Sequence, residues 1–168
     1  MDLFEGILKR RSIRKYKEKE IEEEILKKII EAGMYAPSSS NKRPWFFILI
    51  KNKEILKKIA DFHPYGKMLY QAPCAILVCG NKNLQNLEGY LALDCAAATQ
   101  NILLSALSFG IGSCWIAVYP REERINFIKN LLKLEKNLLP ISLVSLGYPA
   151  EEKEKPERFE EEKLKILL

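Results

Sequence analysis

At 168 residues the chain is long enough for one compact domain with a real core, and a composition of 48% hydrophobic and 29% charged residues excludes a disordered polymer. The net charge of +5, from 27 basic and 22 acidic residues, is a mild excess that informs only through where the charges lie. Four cysteines with no CxxC pair and one histidine, His63, leave too few soft ligands for a zinc site and point to reduced thiols in a cytoplasmic setting.

The amino terminus, Met1-Asp2-Leu3-Phe4-Glu5, lacks the basic start of a secretory signal. Residues 2–10 read as a short helix, with Asp2 as N-cap and Leu3, Ile7 and Leu8 on one face. A second helix is predicted over 21–35, where Ile21, Ile25, Leu26, Ile29 and Ile30 recur at helical spacing and Glu22, Glu23 and Glu24 occupy the first turn. Pro37 and three serines stop it. Trp45–Ile50 is a continuous apolar run, read as a buried strand. A short helix follows at 53–61, then a strand at 74–79 ended by Gly80. Residues 88–109 form a long helix with Gly110 as its C′ residue. Its apolar stretch holds Asp94, Gln100 and Asn101, and an ionised Asp in a bilayer costs a few kcal/mol, so it reads as a core helix and no membrane partner is expected. A strand at 114–119, a helix at 121–132 and a strand at 141–146 ended by Gly147 complete the order, and the charged last twenty residues belong at the surface or around a partner. The pattern is α+β: one domain over 1–168, with a central mixed sheet of about four to five strands flanked by helices.

Two segments carry the candidate chemistry. Residues 9–17 hold six basic residues and no acid. Arginine suits phosphate because its planar guanidinium forms bidentate, charge-assisted bonds, and Ser12 adds a hydroxyl donor. By charge alone the stretch reads as well as a solvated basic face. Contact with nucleic acid would require an extended basic stripe, and the acidic run at 18–24 cuts this one short, so no nucleic-acid partner is expected. The second segment, Pro37-Ser38-Ser39-Ser40-Asn41-Lys42-Arg43-Pro44-Trp45, has short polar side chains that admit a ligand closely; by itself it reads equally as a capped turn. Asp94 reads as a carboxylate satisfying a neighbouring donor, and His63, beside Pro64, as a surface loop residue. Gly110-Ile111-Gly112 is no dinucleotide fingerprint, because it follows a helix and Trp115 stands where the third glycine belongs.

The order RRSIRKY, APSSSNKRPW, DCAAATQNILL running into GIGSCWI, and GYPA with Arg158 downstream resembles the nitroreductase family of FMN-dependent enzymes over nearly the whole chain. The resemblance implies an α+β homodimer with one FMN in each of two interface sites. By matching position, Arg10, Ser12 and Arg158 would hold the FMN phosphate and Arg11 its ribityl end. Arg14 and Lys67 would face the N1/O2 edge of the flavin. Pro37, Ser38, Ser39 and Asn41 would come from the other subunit. Trp115, Ile116 and Ala117 would run past the ring, with a backbone N–H near N5. A cation at the N1/O2 edge stabilises reduced flavin. The implied activity takes hydride from NADH or NADPH and reduces a small electron-poor acceptor, such as a nitroaromatic or quinone, by a ping-pong mechanism. No side chain is expected to act as acid or base, and no metal is implied. Related activities on this fold are reductive dehalogenation and fragmentation of the flavin itself, and a flavin-storing protein without turnover is a further reading. Arg43 stands where many members have Gln, and the short span between Gln71 and Leu91 implies an open flavin face.

Overall fold

The computed structural model describes residues 2–167. Four strands, β1 (Trp45–Ile50), β2 (Cys74–Asn81), β3 (Gly112–Ala117) and β4 (Leu138–Gly147), form one sheet in the order β1-β2-β4-β3. Five helices flank it: α1 (Leu3–Lys9), α2 (Glu23–Met34), α3 (Lys53–Phe62), α4 (Glu88–Ser108) and α5 (Glu122–Leu132). The predicted α+β class and the count of four strands hold, but every ladder is antiparallel instead of mixed. β2 and β3 run the same way, and β4 inserts between them. Among the described residues the one parallel contact is a single bridge between Ser12 and Ser113.

Period-two alternation divides the buried side chains of β2 between two cores. Ala75, Leu77 and Cys79 face α3 and α5 through Leu56, Ile59 and Ile128. Cys74, Ile76 and Val78 face α2 and α4 through Leu26, Ile29, Leu91, Cys95 and Ile102. Each fully buried Leu or Ile contributes about 1.5–3 kcal/mol, so this double-faced burial outweighs any single polar contact in the chain. α4 is long and apolar enough to cross a membrane by length and composition, yet one side of it packs on the sheet and α2.

Several boundaries moved for physical reasons. Gly147 is the last residue of β4, as expected, whereas Gly80 lies inside β2, which runs on to Asn81. A Cβ on Gly80 would stand 2.4 Å from Leu91 Cγ, and one on Gly147 would stand 2.7 Å from Tyr16 Cγ, so these glycines are holes filled by distant side chains. β4 starts at Leu138 and tolerates Pro140 because the β2–β4 register slips between Val78 and Cys79. β3 begins two residues earlier than predicted, directly after Gly110 (φ 70°) releases α4. β1 is an edge strand, only half-buried, with Phe46 exposed. Asp2 does cap α1, accepting from Glu5 N at 2.8 Å, but the Leu3–Ile7 face of that helix is exposed. The four cysteines are free and buried.

Candidate functional site

β3 is the other edge of the sheet, and the basic segment is stitched along it. Ile13 N donates to Ser113 O at 2.9 Å, in contact with Gly112, where a Cβ would meet Ile13 Cγ2 at 2.8 Å. The Tyr16 hydroxyl anchors the segment from within the core, 2.7 Å from both Ile13 O and Ser145 Oγ. Lys17 N donates to Tyr148 O and Ala150 N to Lys15 O, which ties residues 15–17 to the exit of β4. Glu151 Oε1 accepts from Arg14 N at 2.6 Å and Lys153 Nζ donates to Ser12 O at 2.7 Å. The bond from Arg14 N, then the charge of Lys153, holds the Glu151 carboxyl below the usual carboxylate range.

Along this edge lie two hollows. One, of about 600 Å³, is lined by Arg10, Arg11, Gly112, Ser113 and Lys155. Burial, then the like charges of Arg158 and Arg11, pushes the half-buried Arg10 guanidinium below its usual pKa. Arg158, 148 positions away in sequence, thus adds its charge to that of Arg10 without lining the hollow, and Lys9, Arg10, Arg11 and Lys155 make the hollow cationic, a charge that an anion would relieve. The Arg11 guanidinium donates to Glu154 O and is held by the tail at the hollow's edge. Ser12 lines neither hollow; its hydroxyl faces the Cys114 thiol.

The second hollow, of about 790 Å³, is lined by Arg14, Lys67, Trp115, Ile116 and Ala117, with His63, Tyr65 and Arg124 at the Ala117 end. Strand alternation fixes what the edge offers. The Ser113 and Ala117 carbonyls point away from β4, since they accept from Ile13 N and from His63 Nε2. Trp115 lies between them with the same orientation. Between two occupied carbonyls the edge therefore presents Trp115 N–H, Trp115 C=O and Ala117 N–H: donor, acceptor, donor. Lys67 lines this hollow, but its ammonium donates to Ala60 O at 2.8 Å, near the carboxyl end of α3.

His63 is a buried residue instead of the expected surface one, only 3% exposed. Tyr65 N donates to Nδ1 at 3.1 Å, so the ring proton sits on Nε2 and is donated to Ala117 O at 2.9 Å. Burial, chiefly, lowers its pKa. Arg124 Nη1 donates to the same oxygen at 3.0 Å. Neither residue is among the expected site residues. Arg124 had a usable signal, standing in the first turn of the helix after the edge strand; His63 had none, because its burial is made by residues 117 and 124.

The serine segment lies elsewhere. Pro37, Ser38, Ser39 and Asn41 line neither hollow. Their loop is fastened to α4, where Ser39 N donates to Asp94 Oδ1 at 2.9 Å, the neighbouring donor expected for that carboxylate. On the opposite face of α4 from Asp94, Ala92, Leu93 and Ala96 join Trp115, Ala117 and Tyr119 in an exposed apolar hollow, with Leu93 67% and Trp115 37% exposed. Within one chain, residues 10, 11, 14, 67 and 115–117 gather along β3, Arg158 reaches Arg10 by its field, and the 37–41 loop stands apart.

The model of the "Nitroreductase family" matches residues 7–63 and 63–148. A Methanothermobacter thermautotrophicus protein named "Putative NADH dehydrogenase/NAD(P)H nitroreductase" is 47% identical over 151 residues, covering 90% of this chain and 79% of its own length. The solved structure of an FMN-dependent nitroreductase from Clostridium difficile R20291 superposes with a TM-score of 0.88 at 34% identity, over 96% of this chain and 97% of that one. A Desulfovibrio desulfuricans homologue solved in complex with FMN gives a TM-score of 0.85 at 30% identity, over 96% and 94%.

Proposed function

The chain belongs to the nitroreductase family, and from that premise we propose an FMN-dependent NAD(P)H oxidoreductase whose cofactor lies along the β3 edge, phosphate at Arg10 and ring at Trp115–Ala117. The observation that carries the reading is the pairing of a cationic hollow with a donor–acceptor–donor edge on the same strand. The flavin pyrimidine presents the complementary acceptor, donor and acceptor in O2, N3–H and O4, and the phosphate matches the cationic hollow that Arg10, Arg11 and Lys155 line, with the charge of Arg158 felt at Arg10. The residues therefore fit the group. When bound, FMN supplies hydride transfer from NADH or NADPH to an electron-poor acceptor such as a nitro compound or quinone.

The chain's own work is binding, orientation and charge. Arg10 and Arg158 take the phosphate, with Ser12 and Arg11 holding the segment and the tail around it. Trp115 and Ala117 fix the ring through backbone groups whose direction the sheet sets. Arg14 places a cation on the N1/O2 side, and Lys67 joins it once released from Ala60 O. Glu151 and His63, the carboxylate and the imidazole that line the hollow, are engaged by Arg14 N and by Ala117 O, which suits proton supply from solvent. One open mouth then serves reductant and acceptor in turn, the ping-pong order. Pro37, Ser38, Ser39 and Asn41 complete the site of a second copy, making a homodimer. The exposed apolar face at Leu93 and Trp115 supports this arrangement. A cytoplasmic setting, with its reduced thiols and NAD(P)H, suits the four free cysteines.

Purified protein tests the reading directly. A yellow sample that bleaches with NADH or NADPH under anaerobic conditions is expected. A colourless sample that takes up no FMN overturns it, and a yellow sample inert to both reductants leaves flavin storage in its place.

A further inference from the structure

Asp94 is an odd residue for its place. It is only 6% exposed and sits on the packed side of α4 between Leu91 and Ala98, with no basic side chain paired to it among the described residues. Its Oδ2 is buried and without a hydrogen-bond partner among those residues. A buried carboxylate with one lone contact costs stability, and an alanine there would suit the helix better. The single bond it does make, Oδ1 to Ser39 N at 2.9 Å, leaves the helix and reaches the serine loop.

That loop needs holding. Ser40 (φ 53°), Asn41 (φ 53°) and Arg43 (φ 46°) all occupy the left-handed region, which is unfavourable for residues with a Cβ. Three such residues within four positions persist only where surrounding contacts over-determine the shape. Inside the loop, Arg43 N donates to Ser38 Oγ at 2.9 Å and Asn41 N to Ser38 O at 3.0 Å. Outside it, Asp94 is the close anchor; Gln85 reaches Lys42 Nζ only at 3.4 Å.

We propose that Asp94 is a positioning residue, fixing the strained 38–43 loop so that the loop of one copy closes the flavin cleft of the other. The proposal rests on the homodimeric FMN site described above. The apolar hollow that a second copy would cover, lined by Ala92, Leu93 and Ala96, lies on the opposite face of the same turns of α4 and continues into the cleft through Trp115 and Ala117. The fold carries a buried, half-satisfied carboxyl group and the cofactor site gains a rigid wall.

The test measures FMN affinity of the full-length protein by fluorescence titration. Asp94→Ala should weaken FMN binding at least tenfold, and Asp94→Asn, which keeps an oxygen for Ser39 N–H, should recover most of the loss. Ser39→Pro removes the donor from the other side and leaves α4 untouched, so it decides the matter even where Asp94→Ala does not fold. Ser38 is already extended (φ −143°, ψ 152°), the conformation that a following proline requires. Ser39→Ala keeps the N–H and measures the side chain's own share. Ser39→Pro should bind at least tenfold more weakly than Ser39→Ala; equal affinity in the two overturns the positioning role while FMN binding by the wild type stands. Mixed dimers test the exchange between copies. Pairing an Asp94→Ala subunit with an Arg10→Ala subunit should restore half of the sites to wild-type affinity, because one site then receives an intact grip and an intact loop. No restored site would put each loop in its own subunit's cleft and overturn the exchange. Wild-type protein that binds no FMN would remove the underlying reading itself.

Discussion

Arg10→Ala separates a phosphate grip from a surface charge. In the free chain Arg10 is half-buried and faces Arg158 and Arg11, so its cation is held at a cost. Removing it should leave the melting temperature of the FMN-free protein unchanged or slightly raised. The loss should appear only with ligand. A charge-assisted bond contributes about 1.5–3 kcal/mol, which weakens FMN binding by roughly 10- to 150-fold. At a concentration of FMN one hundred times the wild-type Kd, binding stabilises the native state by about 2.7 kcal/mol, and a hundredfold weaker variant keeps only about 0.4 kcal/mol of that. Differential scanning fluorimetry with and without FMN reads this difference, and fluorescence quenching gives the Kd. Riboflavin is the control, since it carries the ring and ribityl chain without the phosphate. Its affinity should change less than about twofold, because no charge-assisted bond to Arg10 is lost. Equal losses for riboflavin and FMN, or an unaltered FMN affinity, would refute the assignment of Arg10 to the phosphate.

Gly112→Ala should push Ile13 off β3, since the new Cβ stands 2.8 Å from Ile13 Cγ2. We expect about 1–3 kcal/mol of lost stability in urea denaturation together with weaker FMN binding, both partly restored by Ile13→Ala; unchanged values would show that the segment is not seated on that glycine. His63 gives a pH dependence. Its native pKa lies below the unfolded value of about 6.5, so between the two the unfolded chain binds more protons. The stability contributed by neutral His63 is therefore present above pH of about 6.5 and is lost as pH falls below it. His63→Gln should remove that part of the slope between pH 8 and pH 5, and a slope identical to wild type counts against it. Burial pushes the thiols of Cys74, Cys79 and Cys95 up to about 12 and raises that of Cys114, so native protein at pH 8 should resist thiol labelling until unfolded. Rapid native labelling would contradict the closed core.

The apolar runs in β2 and β4 were legible because both faces of a central strand are buried and every position shows it. Glycine was legible only locally. Gly110 ends a helix and Gly147 a strand as expected, but Gly80 reads as a strand end when it lies inside β2, and neither strand glycine shows in sequence that it is a gap shaped for another segment's side chain, Leu91 at Gly80 and Tyr16 at Gly147. β1 looked as buried as β2 because an apolar run does not say whether a strand lies at the edge of its sheet. Arg10 and Arg158 were legible as a pair only through the resemblance; no local pattern links residues that far apart. Separation of the serine loop from the β3 hollows was equally hidden, since it depends on where α4 carries Asp94.

Charge type alone also could not sort the cations around the cleft, and their partners do. Lys67 donates to Ala60 O, Arg11 to Glu154 O, Lys153 to Ser12 O and Arg124 to Ala117 O. Each of these four bonds the backbone, and three of them fasten a segment that borders the hollows: the tail, the basic stretch and the end of β3. The head groups of Arg10 and Arg14 have no such acceptor among the described residues. A cation that spends a donor on a carbonyl is tethered to it, and where it must leave that carbonyl to reach a ligand it gains only the difference; a cation without such a bond gains the whole interaction. The same sequence feature, a basic side chain near β3, thus divides into scaffold and grip. Arg10 on the phosphate and Arg14 on the ring edge should therefore lose more FMN affinity on truncation than Lys67 does, the reverse of what their equal charge would suggest.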